Sequence, residues 1–218
     1  MNKTLKAKDY RRIFFLYGIV YATIPIIIVE ILWDGLANLI NLNDGLLKEL
    51  IESFFRAALI EESFKFYGFM KANKEYNFSH EKEYMIAAGM IGLAYAIVEK
   101  FATGNAMAII LGIIFPMHVL WQMNQGRHFY KYKKAKEKND DKTAKKELLL
   151  STFIIFLLHG IWDALVSLVS YFADAKNLTN ADIVGGILLL ITILLGIIYI
   201  IVSIIKIRKV LKNSKKNK

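Results

Sequence analysis

The sequence predicts an all-α fold: a polytopic membrane bundle of about six transmembrane helices in the cell membrane, with both termini cytoplasmic. Of the 218 residues, 56 % are hydrophobic, and they gather in runs near the roughly 20 residues that cross about 30 Å of hydrocarbon. A backbone in lipid must satisfy its own polar groups, so the runs are helices and not open strands. The 29 Lys and Arg exceed the 19 Asp and Glu, and they cluster between alternate runs. Such clustering orients a membrane protein. Nucleic-acid binding would need a basic folded face or arm with aromatic readers, so no nucleic-acid partner is expected. The chain has no cysteine, which excludes disulfides, thiolate chemistry and a Cys-based zinc site.

The first run, residues 13–33, follows Lys3, Lys6, Lys8, Arg11 and Arg12. It is longer than the apolar core of a secretory signal and lacks a small-residue cleavage pattern, so it reads as an uncleaved span. The second, residues 47–70, is amphipathic in its first half. Leu47, Leu50, Ile51, Phe54, Phe55, Ala58 and Leu59 share one face, leaving Lys48, Glu49, Glu52, Ser53 and Arg56 on the other. That half lies in the outer interface or lines a wet cavity. Lys71, Lys74 and Lys82 follow it, and the third and fourth spans are residues 84–103 and 106–125. Pro25 and Pro116 are compatible with helices whose neighbours satisfy the freed carbonyls.

Nine basic residues fill 127–146, ahead of the fifth span at 148–172; the sixth, 183–205, precedes a tail, 206–218, with seven more. The intervening loops at 34–44, 104–105 and 173–182 hold only Lys176. Every odd span therefore runs outward by the positive-inside rule. The basic loop and tail are charged low-complexity segments suited to an anionic leaflet. One integral membrane domain over residues 1–218 is the economical reading.

Ionisable residues inside spans are costly and by default mark a functional site. Here they are Glu61, Glu62 and Lys65 in LIEESFKFYG, Glu99 and Lys100 in AYAIVEKF, His118 in FPMHVLWQ, and His159 with Asp163 in LLHGIWDAL. At 1.5 Å per residue from the nearest cytoplasmic anchor, Glu62 and His118 lie roughly 14 Å deep, Glu61 about 15 Å and His159 about 20 Å. Glu99 and Asp163 come out near ~25 Å and Lys65 near ~9 Å. Glu61 and Lys65, His118 and Gln122, and His159 and Asp163 are each four apart and share a helix face. Glu62 lies about 100° from Glu61, which would let one carboxylate do chemistry while the other positions. Glu30, near a span's end, reads as interfacial, and Trp121 and Trp162 as wall residues.

Carboxylates and histidines around an aqueous pocket suit hydrolysis in two ways. A Glu can act as general base on water while His side chains orient it or stabilise an oxyanion. Alternatively His118, His159 and Glu62 bind a divalent metal such as zinc, which acidifies its water. There is no HExxH, and no Ser or Cys nucleophile is evident.

The order EESFK, GLAYAIVEKF, PMHVLWQ, LLHGIWDAL resembles the PrsW family of intramembrane proteases, within the superfamily of CAAX prenyl proteases and bacteriocin-processing proteins. The resemblance spans residues 51–169. It implies catalytic roles for Glu61, Glu62, His118 and His159, with Lys65, Glu99 and Asp163 in support. Lys100 departs from the family pattern, which commonly has Asn after this Glu. The resemblance further implies cleavage of a membrane-embedded or membrane-proximal substrate of the anti-sigma-factor kind, by a glutamic or a metal-dependent mechanism. Two other classes compete with the protease. An ion-coupled transporter would also bury charges, but the halves show no repeat or paired broken helices. A catalytically idle binding or immunity relative would have lost site residues, and all are present.

Overall fold

The computed structural model describes residues 7–39, 45–76, 78–102, 113–174 and 181–216, and among these every regular element is helical. Helix α1 (Ala7–Gly18) passes through a π-helical turn (Ile19–Thr23) into α2 (Ile24–Leu39). The Thr23 hydroxyl donates to the Gly18 carbonyl at 3.1 Å, five residues back, in keeping with the wider turn there. Helix α3 (Leu46–Ile51), a second π-helical stretch (Glu52–Ile60) and α4 (Glu61–Glu75) form the next rod. Helix α5 (Glu81–Ala102) begins where Glu83 accepts hydrogen bonds from the Ser79 and His80 amides at 2.8 and 3.1 Å, satisfying donors that a helix start leaves open.

Helix α6 (Met117–Glu137) starts after Pro116, so the fourth predicted span is interrupted at Phe115–Pro116, while its residues 106–112 lie outside the described residues. Proline supplies no amide to a preceding turn, and the helix restarts behind it. Asn139 takes a left-handed φ of 56°, which ends α6, and Asp140 caps α7 (Asp141–Ser151) by accepting from the Thr143 amide at 3.0 Å. At Thr152, with φ −122° and ψ −79°, the chain leaves helical geometry before α8 (Phe153–Asp174) and α9 (Ala181–Lys216) follow. The predicted fifth span therefore carries a break near its start.

Among the described residues, four stretches are long and apolar enough to cross a membrane: Arg11–Leu36, Glu81–Phe101, Asp141–Phe172 and Ile183–Ser214. They correspond to the predicted first, third, fifth and sixth spans. The second is outside this set because it carries Lys48, Glu49, Glu52, Arg56, Glu61, Glu62 and Lys65. Large apolar side chains are exposed along α2 and α9, Ile31 at 66 % and Leu190 at 58 % among them. Apolar surface on this scale belongs against lipid.

The core at the Glu75 end is aromatic. Phe14, Phe69, Tyr76, Phe78, Tyr84 and Phe129 pack largely edge to face, with Phe14 to Phe78 at 5.2 Å and Phe69 to Phe129 at 5.5 Å. The Tyr17 hydroxyl donates to Glu75 and ties α1 to the end of α4. Helices α5 and α6 approach so closely that a Cβ on Gly92 would sit 2.5 Å from the His118 carbonyl oxygen and 2.7 Å from Gln122 Cγ. Backbone cannot yield as a flexible side chain does, so this glycine sets the height of His118 against α5. Gly92→Ala is expected to cost about 1–3 kcal/mol by overpacking. Thermal unfolding of the purified protein in detergent measures it, with the apparent Tm falling relative to the unsubstituted chain.

Candidate active site

The π-helical stretch ends at Ile60, and α4 opens directly with the two carboxylates. Both are 5 % exposed and Lys65 is wholly buried, so neither charge sign could stay without a partner. Lys65 Nζ lies 2.8 Å from Glu61 Oε2, 2.9 Å from Glu62 Oε1 and 3.1 Å from His118 Nδ1. It also stands 4.1 Å from the centre of the Tyr95 ring. The sequence places Glu61 and Lys65 on one face with Glu62 turned aside, and Lys65 is expected to neutralise or orient the pair; the contacts with both carboxylates fit that role. An i, i+3 pair also shares a helix flank, and the four-carbon stem spans both carboxylates. Side chains lean toward the N-terminus of their helix, so the ammonium sits closer to the carboxylates than the Lys65 backbone depth of about 9 Å suggested.

The other helices close around this cation. His159 Nδ1 is 2.9 Å from Glu62 Oε1, and its Nε2 is 3.0 Å from Asp163 Oδ2 and 3.8 Å from Glu61 Oε2. His118 Nε2 is 3.1 Å from Glu99 Oε2, an ion-pair distance without hydrogen-bond alignment. Glu99 Oε1 accepts from Lys100 Nζ at 2.8 Å, so the cation that departs from the family pattern is paired with the carboxylate before it. Glu99 and His118 meet although their counted depths differed by about 11 Å: Gly92, seven residues before Glu99, lies beside the His118 backbone, and the two side chains lean toward the N-termini of antiparallel helices and so toward each other. All seven predicted site residues thus converge.

Three neighbours complete the arrangement. Gln122 Nε2 donates to Glu62 Oε2 at 2.6 Å, while its buried Oε1 has no hydrogen-bond partner among the described residues. Trp121 lies 4.6 Å from the His159 ring with an interplanar angle of 31°, making one wall as its type suggested. Tyr95, absent from the sequence reading, covers Lys65 and meets the His118 ring edge-on at 5.1 Å. Nothing in AYAIVEKF distinguishes a ring over a cation from an ordinary core tyrosine.

The two carboxylates border different spaces. Glu61 lines a cavity of about 560 Å³ with Glu99, Asp163, Lys100, Glu49, Glu52 and Arg56. The polar face of residues 47–59 therefore lines a cavity, one of the two alternatives its amphipathic pattern allowed. Glu30 lies there too, 3.7 Å from Arg56. Glu62 instead lines a separate, mainly apolar groove of about 430 Å³.

The donor set also suits a divalent ion. Ligand atoms of Glu61, Glu62, His118 and His159 lie within 4.8 Å of one another. Each histidine directs Nε2 at a carboxylate and Nδ1 toward the Lys65 and Glu62 centre, the pattern in which outer carboxylates orient imidazoles for a metal. Glu61, Glu62, Glu99 and Asp163 bring four negative charges against the ammonium groups of Lys65 and Lys100. Two imidazolium protons or one divalent cation would cancel the remainder, and a metal at the centre would require the Lys65 head group to turn away.

A model of the family described as PrsW family intramembrane metalloprotease matches residues 8–197. The chain belongs to the PrsW family. It is 29 % identical over 160 residues to a protein named Protease PrsW from Clostridioides difficile (strain 630), covering 69 % of this chain and 64 % of that protein. It is 31 % identical over 119 residues to Protease PrsW of Oceanobacillus iheyensis, covering 52 % of this chain and 53 % of that protein. The chain therefore spans between about half and two thirds of the length of these two PrsW relatives. No solved structure matches. Membership of the PrsW family, with four helical stretches among the described residues long and apolar enough to cross a membrane, makes it a multi-pass membrane protein.

Removing the central cation would leave two adjacent buried carboxylates without their ammonium counter-charge. Lys65→Met is expected to cost about 3–5 kcal/mol, and Lys65→Arg less. Thermal denaturation of the purified variants in detergent measures both.

Proposed function

We propose that the chain is an intramembrane endopeptidase. It hydrolyses a peptide bond of a membrane-embedded or membrane-proximal protein segment, of the anti-sigma-factor kind, with Glu61 as the base that activates water. The observation that carries this reading is the division of the carboxylate pair: Glu61 lines the polar cavity from which water would come, whereas Glu62 is held by Lys65, His159 and Gln122. A general base must reach the water proton, and an anchored carboxylate is better suited to positioning.

In the reaction, Glu61 takes a proton from water as its oxygen attacks the scissile carbonyl carbon. The carbon–nitrogen bond then breaks, and the proton passes to the leaving nitrogen, giving a carboxylic acid and an amine. Charge developing on the carbonyl oxygen falls near Lys65, His118 and His159, whose N–H groups would stabilise it in a site poor in water. Asp163 and Glu99 hold the two imidazoles in orientation. In a metal-dependent form of the reaction, His118, His159 and Glu62 would hold a divalent ion with Lys65 displaced. Such an ion supplies an acidified water and polarises the carbonyl.

With a single-span reporter substrate in membranes, Glu61→Gln is expected to lower kcat about 10²–10⁴-fold, with a smaller fall in Tm than Glu62→Gln because Glu62 has more partners. Glu62→Gln and His159→Ala are expected to lose cleavage and also to lower Tm, since each breaks the anchoring network. Undiminished cleavage by all three variants would sink the assignment. Chelator separates the two forms: cleavage lost and restored by zinc assigns the metal, and unchanged cleavage assigns Lys65 as the central cation.

A further inference from the structure

The groove beside Glu62 runs between the rod ending in α4 and the start of α8. Leu59, Phe66, Phe153 and Phe156 make it apolar, with Glu62 and Gln125 among its few polar lining groups. Leu59 is 44 % and Phe153 48 % exposed, so the groove opens outward. It lies at the Thr152 break, where α7 ends and α8 begins. Gln125 is 1 % exposed, and its Oε1 has no hydrogen-bond partner among the described residues. A buried amide oxygen left unpaired is costly, by about 1–3 kcal/mol, unless something donates to it.

Resting on the endopeptidase reading, we propose that this groove is the subsite for a short, unwound apolar segment of the substrate chain, with Gln125 Oε1 accepting a backbone N–H. Hydrogen bonding selects that occupant. A helix has its mid-chain N–H groups already engaged, whereas an unwound segment in an apolar setting must find acceptors elsewhere. A lipid acyl chain matches the apolar walls but has no donor for Gln125. The subsite delivers the segment to Glu62, on the side of the carboxylate pair away from the polar cavity.

The chain's lack of cysteine makes a site-directed test direct. Thr152→Cys places a thiol in the groove and Ser167→Cys one in the polar cavity, each in a Glu61→Gln background so that peptide is not consumed. The full chain is reconstituted in vesicles of phosphatidylcholine and phosphatidylglycerol and labelled with N-ethylmaleimide. The probes are a synthetic leucine-rich transmembrane peptide and the same peptide carrying a central Gly-Pro break.

The broken peptide is expected to slow labelling of the Thr152→Cys variant about tenfold, leave the Ser167→Cys variant unchanged, and lose most of its effect when Gln125→Leu is added. The uninterrupted peptide is expected to protect far less. Equal labelling with and without peptide, equal protection by both peptides, protection unaffected by Gln125→Leu, or labelling blocked by the vesicle lipid alone overturns the proposal. Cleavage by the unsubstituted chain is scored separately with the reporter. Protection without cleavage retains the subsite and removes the endopeptidase; cleavage without protection does the reverse.

Discussion

The burial of one ammonium group among two carboxylates and an imidazole is the constraint on which the rest of this structure depends. Lys65, Glu61 and Glu62 are each too costly to bury alone, and together they demand further partners to satisfy the remaining lone pairs. Those partners come from α6 as His118 and Gln122, and from α8 as His159. Two more carboxylates, from α5 and α8, then face the outer nitrogens of the histidines. Four helices distant in sequence are thereby fixed in rotation and height.

Packing around the polar centre serves the same end. Without a Cβ at Gly92, α5 comes close enough for Glu99 to face His118, and the restart of α6 behind Pro116 puts that histidine in the first turn of a new helix. The aromatic cluster from Phe14 to Phe129 holds the far end of α4 and leaves its Glu61 end to be set by the ionic contacts. Stability at one end comes from apolar area and ring geometry, and at the other from paired charge.

Much of this was legible in the sequence because lipid permits so few structures. Apolar runs gave helices, and charges inside runs marked the residues that converge. Four-residue spacing correctly joined His159 to Asp163 and Glu61 to Lys65, since helix geometry alone sets such pairs. Contacts between helices were less accessible. The reach of Lys65 to Glu62 depends on a rotamer, and the meeting of Glu99 with His118 on the offset of two rods. Tyr95 over the cation and Gln125 with its unpaired oxygen are unremarkable letters in a row of similar ones. The break at Thr152 likewise follows no proline or glycine that would announce it.

Placing adjacent carboxylates on the borders of two differently lined spaces has a further meaning. Glu61 meets a polar chamber and Glu62 a mainly apolar groove, so two neighbouring carboxylates face surroundings of opposite solubility. The dividing wall is a single helical step, and the chemistry of a membrane interface is reproduced across the 1.5 Å rise from one residue to the next.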